Sequence, residues 1–494
     1  FSTPVEKVYN SCFNESSGEL MLGLNKSWGF SHWYITNWNS MIGLTEGIRD
    51  SLTGQFIDSN GNIVTGSELD RRTPKLPLQQ ISHFKASNIS NIVLGKQQIK
   101  IRTGWQKNRR QEFEDTLIIP EKYMSLQTFT GDIIYYPFIK DGFETAIGIS
   151  TMLQQNTNRG KNYIIPDFTS NTNGGFATIK KNFTASTFNV GIRFDERHMD
   201  WATLINQGDT LFTGNIRNFN AITGSIGMTH SFNQHLSLKF NAGKGFRSPS
   251  APELTSNGIH EGTFRYEIGN QNLNAETSLQ IDLGMEYEVS FISVSVAGFI
   301  NKVKDFIYFS QENNEQITIE QKNYPVFRYK QGNALLQGGE LSIDFHPATN
   351  IHFENSFSIV EGDNKSTETP LPFIPPLKTS HELRYDFKSG NNSKNNSFYI
   401  KIGADYIFTQ KRIDPDFETI TNGYLLLKST GGLELDYHGQ TIEFFITATN
   451  LTNTTYYNHL SRYKSIGVNG MGRNFTFGFH LPLSFKKQIG RAHV

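Results

Sequence analysis

The stretch NFTFGFHLPLSF, residues 474–485, decides the fold. Apolar side chains at the odd positions alternate with small or polar ones at the even positions; the apolar set is Phe475, Phe477, Phe479, Leu481, Leu483 and Phe485. This period of two is that of a β-strand, whose successive side chains point to opposite faces. The stretch is also long enough for a tilted strand to cross a bilayer, which takes about 9–11 residues.

The same period recurs along the chain. Further segments that show it are residues 97–106, 187–197, 236–246, 292–300, 340–346 and 441–451. They suggest about twenty strands, or roughly 25 residues per strand and connection, a spacing typical of long loops alternating with short turns. No segment of helical period exceeds two turns. The sequence therefore predicts an all-β protein.

Composition narrows the class further. The 494 residues contain 46 basic and 46 acidic side chains, so no basic face for nucleic acid is expected. The single cysteine, Cys12, excludes an intrachain disulfide framework and a cysteine-based zinc site. A mean hydropathy of −0.43 is typical of soluble proteins, but membrane strands need an apolar residue only at alternate positions.

Aromatic residues near predicted strand ends favour a membrane barrel over other β-folds. They include Trp28, Phe30, Trp33, Tyr34, Trp38, Tyr135, Tyr136, Phe138, Tyr456 and Tyr457. Such girdles mark both membrane interfaces of transmembrane barrels. A sandwich of this length would need linkers between domains, and a propeller would show a blade repeat of about 40 residues. Neither is visible in the sequence.

Two motifs in mid-chain resemble the paired boxes of TonB-dependent outer-membrane receptors. They are GFRSPSAPEL (245–254) and GNQNLNAETS (269–278), in which Ser248 replaces the family's usual Ala and Gln271 its usual Pro. Further landmarks similar to the family's follow in order: GGELSID (338–344), LPFIPPLKTSHELRY (371–385), TNLTNTTYYN (449–458) and GRNFTFGF (472–479). LPLQQISHFKAS (76–87) and GWQKNRRQEFED (104–115) look like Bacteroidota-type versions.

The resemblance implies a large antiparallel transmembrane β-barrel, with about 20 of a usual 22 strands, over residues 1–488. The family's N-terminal plug, through which members contact TonB–ExbB–ExbD, is expected upstream of Phe1 and absent from this chain. The implied location is the outer membrane of a Gram-negative bacterium, with membrane lipid around a monomer and no required cofactor. The hexapeptide IGRAHV (489–494) resembles a translated sequencing adapter and is expected to be a non-native tail.

Prolines explain why the strand pattern breaks between the two boxes. Pro249 and Pro252 cannot donate to a strand ladder, so pairing is expected to stop there and resume near Leu273. Pro375 and Pro376 are expected to stiffen a periplasmic turn in the same way.

The segment between the boxes holds the leading site candidates. The resemblance to zinc-uptake and haem-uptake members suggests His260 as a metal ligand and Glu267 as its partner, with Glu261, Arg265 and Tyr266 nearby. Imidazole and carboxylate suit zinc or ferric iron. The alternative is that His260 is a solvated surface residue. Supporting ligands from other predicted loops are His198, Asp200 and His459.

A charged segment, KNRRQEFED (107–115), supplies Arg109 and Arg110. Arginine binds carboxylates through two parallel hydrogen bonds, so this pair is a candidate for contacting a ferric siderophore or haem propionates. The alternative is a solvated loop with internal ion pairs.

Three functions remain open at this stage. The leading one is TonB-energised uptake of zinc, haem or a ferric siderophore. The others are a passive pore or surface adhesin on the same barrel, and a secreted β-rich carbohydrate-binding protein. An enzyme is not expected, since the sequence contains no nucleophile elbow, no His-Glu-x-x-His run and no supported carboxylate pair.

Overall fold

The computed structural model describes residues 7–45, 47–58, 61–206, 209–260, 265–319, 322–388, 397–437 and 440–482. In chain order its elements are β1 (Phe13–Lys26), β2 (Gly29–Gly43), α1 (Gly66–Leu69), β3 (Leu78–Leu94), β4 (Gln97–Phe113), β5 (Lys122–Lys140), β6 (Phe143–Asn158), β7 (Phe168–Asn182), β8 (Ser186–Trp201), β9 (Leu204–Asn206), β10 (Asp209–Phe212), β11 (Asn215–Ser231), β12 (Leu236–Arg247), α2 (Ala251–Thr255), β13 (Asn257–His260), β14 (Arg265–Ile268), β15 (Glu276–Val289), β16 (Ile292–Ile319), β17 (Lys322–Ala348), β18 (Ile351–Asn364), β19 (Thr369–Pro370), β20 (Lys378–Lys388), β21 (Ser397–Ile407), β22 (Tyr424–Tyr437), β23 (Gln440–Thr449), a 3₁₀ turn (Arg462–Ile466) and β24 (Asn474–His480).

One 22-stranded sheet contains every strand except the β9–β10 pair. Its long strands pair antiparallel with their neighbours in chain order, so the sheet is a continuous meander. Within the described ranges β1 pairs with β2 and β24 with β23, and these two outermost strands do not pair with each other. The all-β class and the large antiparallel sheet are confirmed. A closed barrel that spans the membrane stays a prediction.

The connections sort into two edges of the sheet. The short ones are residues 27–28, 95–96, 141–142, 183–185, 232–235, 290–291 and 349–350. The long ones, 44–77, 114–121, 159–167, 202–214, 248–275, 365–377, 408–423 and 450–473, alternate with them. Because antiparallel strands reverse direction at each connection, these long loops lie at one edge, here the loop edge, and these short turns lie at the other, the turn edge. The paired ends of β16 and β17, at Ile319 and Lys322, also lie at the loop edge.

This division corrects one expectation about the prolines. Pro375 and Pro376 lie in the connection 365–377, which opens at the loop edge together with 248–275. They were expected in a turn on the opposite edge. The error arose because rigid prolines indicate where a strand ends but carry no information about which end of the strand it is.

The two faces of the sheet differ sharply in polarity. In β8, Val190, Ile192 and Phe194 are 51%, 59% and 49% exposed, whereas Arg193 and Asp195 between them form an ion pair of 2.5 Å on the opposite face. Exposed apolar residues on neighbouring strands continue the first face, which we call the outer face: Ile222, Ile226, Leu279, Leu283, Phe475, Phe477 and Phe479. The predicted alternation is confirmed, and an apolar surface of this extent suits contact with lipid.

Helices contribute little to the structure. The two α-helices found in the described ranges have four and five residues, in agreement with the prediction that no helical segment exceeds two turns. In the ranges that the structure covers, none of them has the length and apolar character needed to cross a membrane.

Candidate functional site

The segment between the two sequence motifs folds, at the loop edge, over the face of the sheet opposite the outer face, which we call the inner face. β12 ends at Arg247, before Pro249, and β15 begins at Glu276, as the prolines predicted. Leu254 and Leu273 are each 1% exposed and belong to one apolar cluster with Met199 and Trp201 of β8, which share the face of Arg193. Burial of these side chains fixes the segment against the inner side of the wall.

Arg247 joins the two motifs. Its guanidinium donates to both oxygens of Glu276, at 2.5 and 2.7 Å, and to both oxygens of Glu253, at 2.9 Å. Glu276 also accepts a hydrogen bond from the backbone N–H of Ile307 at 2.7 Å. Bidentate pairs of this kind have well-defined geometry, so the start of the loop and its return into the sheet are held together. Glu253 and Glu276 lie in the two sequence motifs, but the sequence did not predict this contact.

The two departures from the family motif both make hydrogen bonds. Ser248 Oγ accepts from Arg197 at 2.9 Å. The Gln271 side chain donates to the carbonyl of Thr213 and accepts from Asn215, both at 3.3 Å. Neither bond is available to the usual Ala or Pro side chain. Ser248 and Gln271 therefore link the segment between the motifs by hydrogen bonds to β8 and to the region where β11 begins.

His260, Arg265 and Glu267 meet in the hairpin formed by β13 and β14. His260 Nδ1 and Arg265 Nε each lie 2.8 Å from Glu267 Oε1, and Glu267 is only 3% exposed. Burial by itself would raise the pKa of Glu267, but the hydrogen bond from His260 and the charge of Arg265 outweigh it and hold that pKa below the ordinary value. The carboxylate is therefore ionised at neutral pH.

Aromatic residues hold Arg265 from the other side. Its guanidinium lies 4.2 Å from the ring centre of Phe309 in β16 and 5.3 Å from that of Phe327 in β17. Tyr266 points away from the carboxylate cluster, since its hydroxyl donates to Asn257 Oδ1 at 2.8 Å; burial raises its pKa. Tyr266 therefore supports the hairpin and does not join His260 and Glu267.

A second carboxylate approaches this hairpin from the wall. Glu112 in β4 is 1% exposed; it accepts from Arg110 at 2.6 Å and from Gln79 at 2.9 Å, and Lys122 lies 3.7 Å away. Glu112 also lies close enough to His260 for an electrostatic interaction. The hairpin and β4 thus form one polar cluster, and Arg110 belongs to it.

Residues 107–113 form a strand, because β4 continues to Phe113. The alternative of a solvated loop therefore does not hold for them. Arg109 therefore points to the face opposite Arg110, the outer face that carries Trp105, which is 40% exposed. The two arginines therefore do not share one face of the sheet, and contact of either one with a chelate stays a prediction. Extending the strand period of two beyond residue 106 would have predicted that Arg109 and Arg110 point to opposite faces and that Glu112 shares the face of Arg110.

His198 and Asp200 were expected in a loop, and that expectation is also wrong. Both lie in β8, which extends to Trp201, on the same outer face as Phe194. His198 Nδ1 is 2.7 Å from Asn218 Oδ1 of β11. They cannot join His260, whose hairpin lies on the inner side. Glu261 falls outside the residues that the structure describes.

His459 does lie in a loop, as predicted, but in a different cluster. It is 5% exposed, with Nδ1 2.8 Å from Thr421 Oγ1 and Nε2 3.1 Å from Glu418 Oε1. Burial and the charge of Lys464 lower the pKa of His459, and burial raises that of Glu418. This cluster joins the connections 408–423 and 450–473.

No preformed metal site is complete in the described residues. No group of three or more His, Cys, Asp or Glu side chains converges there. His260 and Glu267 are the two members of the predicted set that the structure brings together. Their arrangement matches that of many metal-binding histidines, whose Nδ1–H is held by a carboxylate while Nε2 is the ligand atom.

The large antiparallel sheet and the polar cluster at its loop edge are consistent with one known protein family. The chain belongs to the family described as TonB dependent receptor-like, beta-barrel, whose model matches residues 17–479. Members of this family are transporters and not enzymes, which confirms the expectation that the chain has no catalytic role.

Two curated relatives are similar over part of the chain. It is 23% identical over 210 residues to the probable TonB-dependent siderophore receptor PirA of Acinetobacter baumannii, covering 38% of this chain and 26% of that protein. It is 24% identical over 304 residues to the hemoglobin-haptoglobin utilization protein B of Neisseria meningitidis serogroup A, covering 54% and 36%. The matches thus span about a quarter and about a third of these relatives.

Solved structures share the fold over almost the whole chain. The copper transporter OprC superposes with a TM-score of 0.65 at 15% identity, covering 95% of this chain and 81% of that one. The FrpB iron transporter from Neisseria meningitidis (F3-3 variant) gives 0.67 at 13% identity, covering 94% and 71%. The sheet therefore has the arrangement found in transporters of this family.

Proposed function

We propose that this chain forms the membrane wall of an outer-membrane receptor that imports a scarce metal or metal chelate. The cargo classes are zinc, haem and ferric siderophores, and the energy comes from TonB–ExbB–ExbD. The receptor works as a monomer in the outer membrane of a Gram-negative bacterium. The related proteins carry the names of siderophore, haemoglobin, iron and copper uptake systems, which supports metal cargo.

The observation that carries the proposal is the polar cluster at the loop edge. His260, Arg265 and Glu267 sit on a hairpin that pairs with β17 at the loop edge of a wall whose outer face is apolar. Long loops of transmembrane barrels are extracellular, so this cluster faces arriving cargo. A passive pore would need no such convergence of buried charges, whose desolvation is costly.

His260 is the residue that we propose contacts the metal of the cargo. With Nδ1 held by the Glu267 carboxylate, Nε2 is the ring atom proposed to bind zinc or haem iron. Arg265 and Arg110 add positive charge for the carboxylates or phenolates of a chelate. Glu267 orients His260 in this arrangement and contributes negative charge to the site.

The test is uptake by the complete receptor in a Gram-negative strain lacking its own metal receptors. Radiolabelled zinc, haemin and ferric siderophores are supplied with and without functional TonB. TonB-dependent accumulation of any one of them is the expected result. Entry independent of TonB would support a passive pore, and retention at the cell surface without entry would support an adhesin; either outcome would overturn the proposal.

A further inference from the structure

A groove on the outer face lies at the loop edge, across β12, β15, β16 and β17. It encloses about 550 Å³ and is lined by Lys244, Lys302, Lys304, Lys365, Leu279 and Leu335, among others. The strand register explains this composition. Leu279 is paired with Lys244 on one side and with Lys302 on the other, so the three side chains emerge on one face. Lys304 follows two residues beyond Lys302.

The positive charge of this groove is largely uncompensated. All four lysines are exposed. In the described part of the chain, Lys244, Lys302 and Lys304 have neither an ion pair nor a hydrogen bond through their side chains. Lys365 pairs with Asp363 at 2.9 Å, and that carboxylate also binds Arg412 at 2.6 Å. Because the chain as a whole carries no net charge, this local excess arises from where the lysines are placed.

Below the lysines the same face is apolar. Successive outward positions of β15 are Leu279, Ile281 and Leu283, which are 55%, 40% and 62% exposed. Cationic groups therefore stand directly beyond a hydrocarbon-like surface, at the edge that carries the long loops. Such loops are extracellular in transmembrane barrels, so the lysines lie at the level of the headgroups of the outer leaflet.

We infer that this groove binds a phosphate-bearing anionic lipid of the outer leaflet. The acyl chains lie along Leu279, Ile281 and Leu283, and the ammonium groups of Lys244, Lys302 and Lys304 bind the phosphates. The inference rests on the proposed location in the outer membrane. It assigns the outer face a specific lipid in addition to general contact with the bilayer.

Native mass spectrometry of the complete receptor, purified in detergent, tests this directly. The probes are diphosphorylated lipid A, its dephosphorylated form and inorganic phosphate, each titrated at two salt concentrations. The test variant is Lys244→Gln/Lys302→Gln/Lys304→Gln. The matched control is Lys181→Gln, which removes an outer-face lysine at the turn edge, where Lys181 lies over the Phe143 ring at 3.8 Å.

The phosphorylated lipid should bind best, and more weakly at high salt. The triple variant should lose about a hundredfold in affinity, and the control should retain it. Equal binding of the dephosphorylated lipid, equal binding of free phosphate, or unchanged binding by the triple variant would each overturn the inference. Since this measurement needs no transport, loss of lipid preference in a receptor that still imports cargo would leave the proposed function intact.

Discussion

Replacing Glu267 by Gln tests how the hairpin of β13 and β14 is held. The substitution keeps the shape of the side chain but removes a carboxylate that is 3% exposed and accepts from His260 and Arg265 at 2.8 Å each. A hydrogen bond to a charged group contributes about 1.5–3 kcal/mol. Loss of one such contribution should make local opening of the hairpin roughly ten- to a hundredfold more frequent.

Hydrogen exchange by mass spectrometry on the complete receptor in detergent measures this opening. Amides of residues 257–260 and 265–268 should exchange faster in Glu267→Gln, and those of β15 should not. The matched control is Glu286→Gln, because the Lys239–Glu286 pair is about half exposed on both sides and should contribute only about 0–1 kcal/mol. Equal exchange of the hairpin in Glu267→Gln and in the unmodified protein would refute the reasoning.

The same hairpin should respond to acid. The pKa of Glu267 is lower in the folded protein than its ordinary 4.5, so the unfolded state takes up protons first as the pH falls. The stabilisation is complete above pH 4.5 and is lost as the pH drops through the folded value. Protection of the hairpin amides relative to their intrinsic exchange rates that stays constant down to pH 3 would contradict the assignment.

Three further predictions concern other residues. His260→Ala in the complete receptor should reduce uptake of zinc or haem; unchanged uptake of both would remove His260 from the binding site. Arg247→Met leaves Glu276 buried without its partner and should destabilise the receptor by roughly 2 kcal/mol in urea unfolding, a value reduced because Arg247 is 44% exposed. Because burial lowers the pKa of His459 below 6.5, contact between 408–423 and 450–473 should weaken as the pH falls through 6.5. Proteolysis of these loops should then increase, except in His459→Gln.

The strands of the sheet were well predicted from the sequence, because the alternation of apolar and polar residues is a local signal. A strand at the membrane must alternate, so residues 187–197 and 236–246 predicted β8 and β12 within a few positions. The strands nevertheless extend further than predicted at the loop edge. Polar residues such as His198 and Arg109 were interpreted as loop because the apolar alternation stops there, whereas backbone pairing continues after the lipid contact has ended.

Only part of the polar cluster around His260 could be predicted from the sequence. His260 and Glu267 lie seven residues apart, and the family resemblance indicated both. Glu112 of β4, with Lys122 of β5 beside it, approaches the same hairpin. No periodicity encodes that contact, because it depends on how a loop of 28 residues folds back over a wall built more than a hundred positions earlier.

The length of β16 and β17 affects how far from the membrane the polar cluster around Arg265 would lie. These strands have 28 and 27 residues, whereas a tilted strand crosses a bilayer with about 9–11. At about 3.3 Å per residue the pair measures roughly 90 Å along its axis, so most of it stands clear of the hydrocarbon. Arg265 is held by Phe309 and Phe327 of this pair. In the proposed outer-membrane receptor, this long pair of strands places Arg265 beyond the layer of lipid headgroups, on the side from which cargo arrives.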